Sequence, residues 1–336
     1  MKFGLYSSIA DPPMGADLAS RIEEVVEEAQ LAEKSGFDSI FFGEHHQDKD
    51  GFLPSPLIVA SAVAGATRSL NLGTSVILLP LHHPVHLAED VITLDAVSRG
   101  RVILGVGIGY QLADFQAFGI PMEDRVTLFE EGIEIIRQCW DQKPFSYHGK
   151  HHHLHNVQVR PSPFQQPSPP LWIGASTYSG ARRAGRLADG FVAGPSTNFD
   201  RTSRLVDSYR KAALEAGRQP QVVLMRDAWV ASSRAEAETV YGPEVLDAYK
   251  YYWRNGLAEF RSIQSESDFT ISQIGPDRLI LGDPDECAAE FRRWSAAMDT
   301  DYFLLRLRHA HSGGPPHQKI MDAINLFGEK VFPNCQ

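Results

Sequence analysis

Short strand-like runs alternate with amphipathic helical stretches along almost the whole chain, and this alternation limits the fold more than any other feature of the sequence. Lys2 to Ser8 is the first strand-like run. A helix is predicted from about Asp17, with Leu18, Ile22, Val25, Val26, Ala29 and Ala32 on one face. The pattern then recurs as strand Asp38 to Gly43, helix Pro56 to Thr67, strand Asn71 to Leu79, helix Pro84 to Ser98 and strand Arg101 to Gly105. After helix Asp124 to Trp140 come strand Pro170 to Gly174, helix Thr177 to Leu187, strand Asp189 to Ala193 and helix Arg201 to Ala216. Strand Val222 to Ala231, helix Pro284 to Met298, strand Asp301 to Leu307 and helix Pro316 to Val331 complete the series. A helix between consecutive strands makes them parallel, joined by right-handed crossovers, and eight such units close most economically into a (β/α)8 TIM barrel. A doubly wound open sheet is the alternative architecture.

Two stretches interrupt the alternation. Residues 145–170 alternate and then become proline-rich from Pro161 to Pro170, which predicts a surface hairpin and an extended lead into the fifth strand. Residues 241–276 read as a long insertion containing Tyr249, Tyr251, Tyr252 and Trp253. Long barrel insertions commonly form lids, so this one is expected over the active site. No composition shift marks a linker, and residues 1–336 are expected to form a single domain.

Composition narrows the functional classes. A formal charge of -10 disfavours a phosphate-backbone partner, since nucleic-acid binding draws on clustered Lys and Arg, and no nucleic acid is expected. The three cysteines, Cys139, Cys287 and Cys335, are too far apart and odd in number for a disulfide framework or a cysteine-based zinc site. A reducing, cytoplasmic setting fits them. No apolar run is long enough for a membrane span, and no signal segment is recognisable at Met1 to Ser8.

Catalytic side chains of barrels collect where strands end. Glu44-His45-His46 stands at the end of the second strand, either as a catalytic cluster or as a polar strand exit. Gly174-Ala175-Ser176-Thr177-Tyr178-Ser179-Gly180 lies between a strand and a helix, where backbone N–H groups and the helix dipole meet an anion. Its plain alternative is an ordinary helix cap. Gly105-Val106-Gly107-Ile108-Gly109 lacks the spacing of a dinucleotide fingerprint, but its glycines let a planar cofactor approach the backbone. His148, His151, His152, His153 and His155 form the densest histidine cluster, read as a solvated hairpin and not as a metal site. Arg306, Arg308, His309 and His311 follow the last strand, for substrate carboxylate or cofactor contact or for a plain surface role.

The order of local motifs carries a resemblance. Met1-Lys2-Phe3-Gly4, Gly36-Phe37-Asp38 and Glu44-His45-His46 are followed by Leu70-Asn71-Leu72-Gly73-Thr74, Leu79-Pro80, His83-Pro84-Val85 and Ala88-Glu89-Asp90. Leu94-Asp95, Ser98-Arg99-Gly100-Arg101, Asp114-Phe115 and Phe118-Gly119 continue the series. Taken together these motifs resemble bacterial luciferase and its flavin-dependent monooxygenase relatives. The resemblance implies a dimeric barrel with reduced FMN, or the deazaflavin F420, at its carboxyl face. It implies His45 as the catalytic histidine, with Glu44 beside it to orient or charge-balance it. Histidine, with an unperturbed pKa of about 6.5, suits the proton movements that flavin and oxygen chemistry requires near neutrality. The expected cofactor contacts are Thr74, Ser75, Gly107, Ser176, Thr177 and Gly180, with a cis peptide between Ser75 and Val76.

The chain departs from luciferase at Gly107 and Ile108, where luciferase has a cysteine and an arginine, so light emission is not implied. The expected activity is oxygenation of a small organic substrate with O2 and reduced FMN delivered by a separate reductase. Alternatives are F420-dependent hydride transfer, a non-catalytic flavin-binding protein, and a metal-dependent barrel hydrolase.

Overall fold

The computed structural model describes residues 1–9, 17–47, 53–309 and 314–335. In chain order the first elements are β1 (Lys2–Ser7), α1 (Leu18–Lys34), β2 (Ser39–Phe42), α2 (Pro56–Ala66), β3 (Asn71–Thr74), β4 (Ile77–Leu78), α3 (Pro84–Ser98) and β5 (Val102–Gly107). Next come α4 (Leu112–Ala117), α5 (Arg125–Trp140), β6 (Phe145–His148), β7 (His153–Val157), β8 (Leu171–Ala175), α6 (Tyr178–Leu187), β9 (Gly190–Ala193) and α7 (Phe199–Glu215). The last are β10 (Val222–Val230), α8 (Arg234–Arg254), α9 (Ile271–Ile274), β11 (Ile280–Gly282), α10 (Pro284–Met298), β12 (Tyr302–Arg306) and α11 (His317–Leu326).

Strands β1, β2, β3, β5, β8, β9, β10 and β12 pair in that order, and β12 returns to β1, so the parallel sheet closes. The open-sheet alternative is thereby excluded. Beyond Thr74, β4 carries the third strand position onward and pairs with β5, while β11 adds beside the end of β10. Alternation along each strand divides the core into two layers. Tyr6, Phe41, Ile103, Trp172, Val223 and Met225 point into the barrel, where Phe41 stacks on Trp172 with centroids 5.5 Å apart. Their neighbours Leu5, Ile40, Phe42, Leu104 and Ile173 point outward and pack under the helices.

Helix starts follow the capping chemistry of the sequence. Asp17 caps α1 through Ala19 N–H, Asn198 caps α7 through Arg201 N–H, and Asp283 with Glu286 forms a capping box on α10. The hairpin expected within 145–170 is present as the antiparallel pair β6 and β7. The insertion expected at 241–276 takes a different form. Its first half, Tyr241–Arg254, is the second half of α8, with Pro243 inside the helix and Tyr241, Val245, Ala248 and Tyr249 buried on one face. That i, i+4, i+7, i+8 spacing binds the helix to the barrel past the Gly242-Pro243 break signal. Only from Asn255 onward does the segment become turns and the short α9. Among the described residues, no helix is long and apolar enough to cross a membrane.

Candidate active site

All eight barrel strands run the same way, so their carboxyl ends form one face, and two adjoining cavities open there. A cleft of about 420 Å³ runs from Tyr6 and His45 past Ser75, Val76 and Gly107 to Ser176, Thr177 and Gly180. A smaller chamber of about 220 Å³ adjoins it, walled by Val192, Pro195, Met225, Tyr252, Leu257 and Arg306. Tyr6, His45, Val76, Tyr110 and Ser176 belong to both, so His45 stands where cleft and chamber meet. Tyr252 on α8 and Leu257 in the turn after it line the chamber.

Beyond β2 the chain is extended, and successive side chains face opposite ways. His45 accordingly faces the cleft while Glu44 is buried beneath it. The Glu44 carboxylate does not orient His45, contrary to expectation. It takes hydrogen bonds from His46 Nε2 at 2.9 Å, from His82 Nε2 at 2.7 Å and from the Leu78 N–H at 2.5 Å. Burial alone would raise its pKa, but the bonds from His46, His82 and Leu78 outweigh this and hold it at about 2. Glu44 thus ties the exit of β2 to β4 as a permanent anion.

Gln111, just before α4, addresses His45. Its side-chain amide donates to His45 Nδ1 at 3.0 Å and lies 3.5 Å from the Tyr251 hydroxyl on α8. With Nδ1 accepting, a neutral imidazole carries its own proton on Nε2. Sequence reading missed Gln111, since nothing within 60 residues of His45 in the chain marks it as a neighbour.

The floor of the cleft requires small residues. The Ser75–Val76 peptide is cis, as the resemblance implied. A Cβ on Gly107 would lie 2.4 Å from Val76 Cγ2, and one on Gly105 only 1.9 Å from the Thr74 carbonyl oxygen. Luciferase's cysteine at the first of these positions cannot be accommodated here without moving Val76. Ser75 and Gly107 line the cleft, whereas Thr74 does not. Its hydroxyl is engaged with Gly105, accepting from the N–H at 3.0 Å and donating to the carbonyl at 2.8 Å.

At the far end Thr177 is the N-cap of α6, its hydroxyl accepting the Gly180 N–H at 3.1 Å. The turn is thus an ordinary helix cap, and Ser176, Thr177, Ser179 and Gly180 also line the cleft. Two guanidinium groups, Arg125 at the start of α5 and Arg183 within α6, complete this end. Arg183 donates through Nε to Glu130 at 2.7 Å and Arg125 through Nη1 to the Met122 carbonyl at 2.8 Å, so each keeps further donors. Neither was singled out from sequence. They supply the positive charge that Ile108 does not.

Residues flagged after the last strand separate. Arg306 lines the chamber, paired through Nε and Nη2 with Asp227 at 2.6 and 3.0 Å. His309 is buried against the same carboxylate at 3.2 Å. Burial would raise the pKa of Asp227, but Arg306 and His309 hold it well below the usual carboxylate range. Arg308 turns away to Glu28 on α1, at 2.6 Å. His311 lies outside the described residues. In the hairpin His151 meets Thr127 at 2.7 Å, and His152 meets His83 with ring centroids 5.8 Å apart. The only metal-compatible grouping among the described residues is Glu24, Glu28 and His317, which includes none of the hairpin histidines and in which Arg308 already pairs with Glu28.

A closed barrel with a long cleft at its carboxyl face, with arginines at one end and a histidine at the other, is a (β/α)8 barrel whose candidate site lies where such barrels carry theirs. The chain belongs to the luciferase-like monooxygenase family, whose model matches residues 1–301. It is similar to the alkanal monooxygenase alpha chain of Photorhabdus luminescens, with 26% identity over 270 residues, 80% of this chain and 74% of that one. It is also similar to the F420-dependent glucose-6-phosphate dehydrogenase of Nakamurella multipartita, with 27% identity over 93% of this chain and 92% of that one. Among solved structures, monooxygenase RslO1 from Streptomyces bottropensis superposes with a TM-score of 0.87 at 26% identity, covering 100% of both chains. The family thus includes both monooxygenases and F420-dependent oxidoreductases.

Proposed function

We propose that the protein is a flavin-dependent monooxygenase that oxygenates a small organic substrate with O2 and reduced FMN. The observation that carries this reading is the position of His45 where a long cleft opens into an adjoining chamber. The cleft suits FMN in its donor set. Arg125, Arg183 and the Ser176 to Gly180 turn would hold the phosphate, and Ser75, Val76 and Gly107 would face the ring system. Reduced FMN, when bound, supplies the electrons for oxygen activation. His45 then holds or delivers a proton at Nε2, its ring fixed by Gln111. Glu44 keeps the backbone beneath it in place, and Tyr252 and Leu257 shield the chamber from water. No dinucleotide fingerprint accompanies the site, which supports a separate flavin reductase.

The reading includes a homodimer, as the family resemblance implies. Hydride transfer with F420 is the second reading, favoured by similarity to the Nakamurella enzyme over 93% of the chain. The test is turnover under ¹⁸O2 with reduced FMN, scored by mass spectrometry. One labelled atom in the product is expected. Turnover that needs reduced F420 and incorporates no label would replace this reading with the second.

A further inference from the structure

Five tyrosines are buried among the described residues, and four of them have a protein partner for the hydroxyl. Tyr209 accepts the Gln221 N–H at 2.9 Å, Tyr241 donates to the Arg306 carbonyl at 2.5 Å, Tyr249 donates to Asp227 at 2.6 Å and Tyr302 donates to Ser39 at 2.7 Å. Tyr6 is the fifth. It is only 6% exposed, yet its hydroxyl makes no protein hydrogen bond among the described residues. Burying a hydroxyl without a partner costs free energy, and a phenylalanine would serve packing alone, as Phe41, its register partner on β2, does. The hydroxyl is not sealed in the core, however, because Tyr6 lines both the cleft and the chamber.

The sequence also makes room for this hydroxyl. A Cβ on Gly43 would overlap the Tyr6 oxygen, and Gly43 has no positive φ that would call for glycine on its own account. The same Cβ would stand 3.5 Å from the Ser75 carbonyl oxygen, and Gly43 lines the cleft but not the chamber. The hydroxyl therefore lies on the side of the junction formed by Gly43, Ser75 and Val76, the floor on which a flavin ring system would rest. Burial pushes the phenol above its ordinary pKa; Tyr252 and Asp227 add to this and Arg306 opposes it. Across the neutral range Tyr6 keeps its proton and is available as a donor.

From this placement we infer that Tyr6 is a cofactor-binding residue whose hydroxyl donates a hydrogen bond to an acceptor of the flavin ring system, a carbonyl oxygen or a ring nitrogen, and so fixes the ring at the junction where His45 stands. Gly43 is the residue that lets the hydroxyl occupy this place. The inference deepens the flavin reading of the cleft and rests on it for the identity of the ring; the unpartnered hydroxyl and the glycine beside it are independent of that reading.

The test compares the full chain with Tyr6→Phe, Tyr302→Phe and Gly43→Ala, by thermal unfolding without ligand and by fluorescence titration with FMN and with riboflavin. Because its hydroxyl has no protein bond to lose, Tyr6→Phe is expected to keep or raise Tm, whereas Tyr302→Phe loses its bond to Ser39 and lowers it. In the titrations Tyr6→Phe is expected to weaken FMN and riboflavin alike, by about 3- to 10-fold, since the contact is to the ring and not to the phosphate. Gly43→Ala displaces the hydroxyl and is expected to weaken both ligands too, but to cost less affinity when added to Tyr6→Phe than alone. An equal cost in both backgrounds counts against the inference. Unchanged flavin affinities in Tyr6→Phe overturn it, and so does a fall in Tm as large as that of Tyr302→Phe, or a failure to fold, either of which would make Tyr6 a structural tyrosine. A wild-type chain that binds neither ligand refutes the flavin reading and the inference with it, whereas wild-type binding that Tyr6→Phe leaves unchanged refutes the inference alone.

Discussion

Replacing Glu44 by Gln measures how firmly the floor of the site is anchored. The carboxylate receives His46, His82 and the Leu78 N–H, and its pKa falls from 4.5 to about 2 on folding. A drop of that size corresponds to about 3 kcal/mol, at about 1.4 kcal/mol per pKa unit. Glutamine can accept from the two histidines through its oxygen, but it turns an NH2 toward the Leu78 N–H and leaves that donor unpaired. Unfolding entropy of about 2.1 cal/mol/K per residue converts the loss to a fall in Tm of roughly 4 °C for a chain of this length. Because the folded pKa is depressed, the wild-type advantage is complete above the unfolded value of 4.5 and is lost as pH falls toward 2. Thermal unfolding followed by circular dichroism from pH 8 to pH 3.5 therefore has a defined signature. The gap between wild type and Glu44→Gln should be constant down to about pH 5 and shrink below it. Equal melting temperatures at pH 7, or a gap that widens on acidification, would refute the reasoning.

Three further outcomes follow from the geometry. Gln111→Leu removes the donor to His45 Nδ1 and should lower kcat/KM about tenfold and shift its pH profile, with FMN affinity unchanged; an unaltered profile would mean Gln111 does not set the imidazole. Arg183→Met should weaken FMN binding about tenfold or more while leaving riboflavin binding alone, and equal losses for both ligands in fluorescence titrations would place the phosphate elsewhere. Gly107→Ala drives a methyl group against Val76 and should cost about 1 to 3 kcal/mol of stability, so an undiminished Tm would show that Val76 yields freely.

The barrel was legible because its signal is redundant: eight strand-helix alternations each constrain the next, and a boundary error of two residues changes nothing in the topology. The second half of α8 was illegible for a local reason. Gly242-Pro243 is a strong break signal, yet Tyr241, Val245, Ala248 and Tyr249 bury a continuous face, and tertiary packing prevails over the dipeptide. Within the site, the strand exit at Glu44-His45-His46 could be recognised in the sequence, but not which side chain points inward. The partners that decide this, His82 and Gln111, are 38 and 66 residues away from Glu44 and His45 respectively. Arg306 was visible as a cation at the end of the last strand, whereas its pairing with Asp227 depends on the β10–β12 register and had no sequence signature. Arg125 and Arg183 escaped notice because each sits in an otherwise ordinary amphipathic helix.

The measurement closest to the central claim is a single turnover of His45→Ala loaded with reduced FMN and mixed with oxygen and substrate. Product formed per flavin is read beside Tm and FMN affinity for the same variant. His45 lines both cleft and chamber and is held by Gln111, so loss of its imidazole should cut the rate of oxygenation about 10²- to 10⁴-fold while Tm and FMN affinity stay near wild type. Oxygenation within a few-fold of wild type at saturating flavin would contradict the assignment of proton transfer to His45.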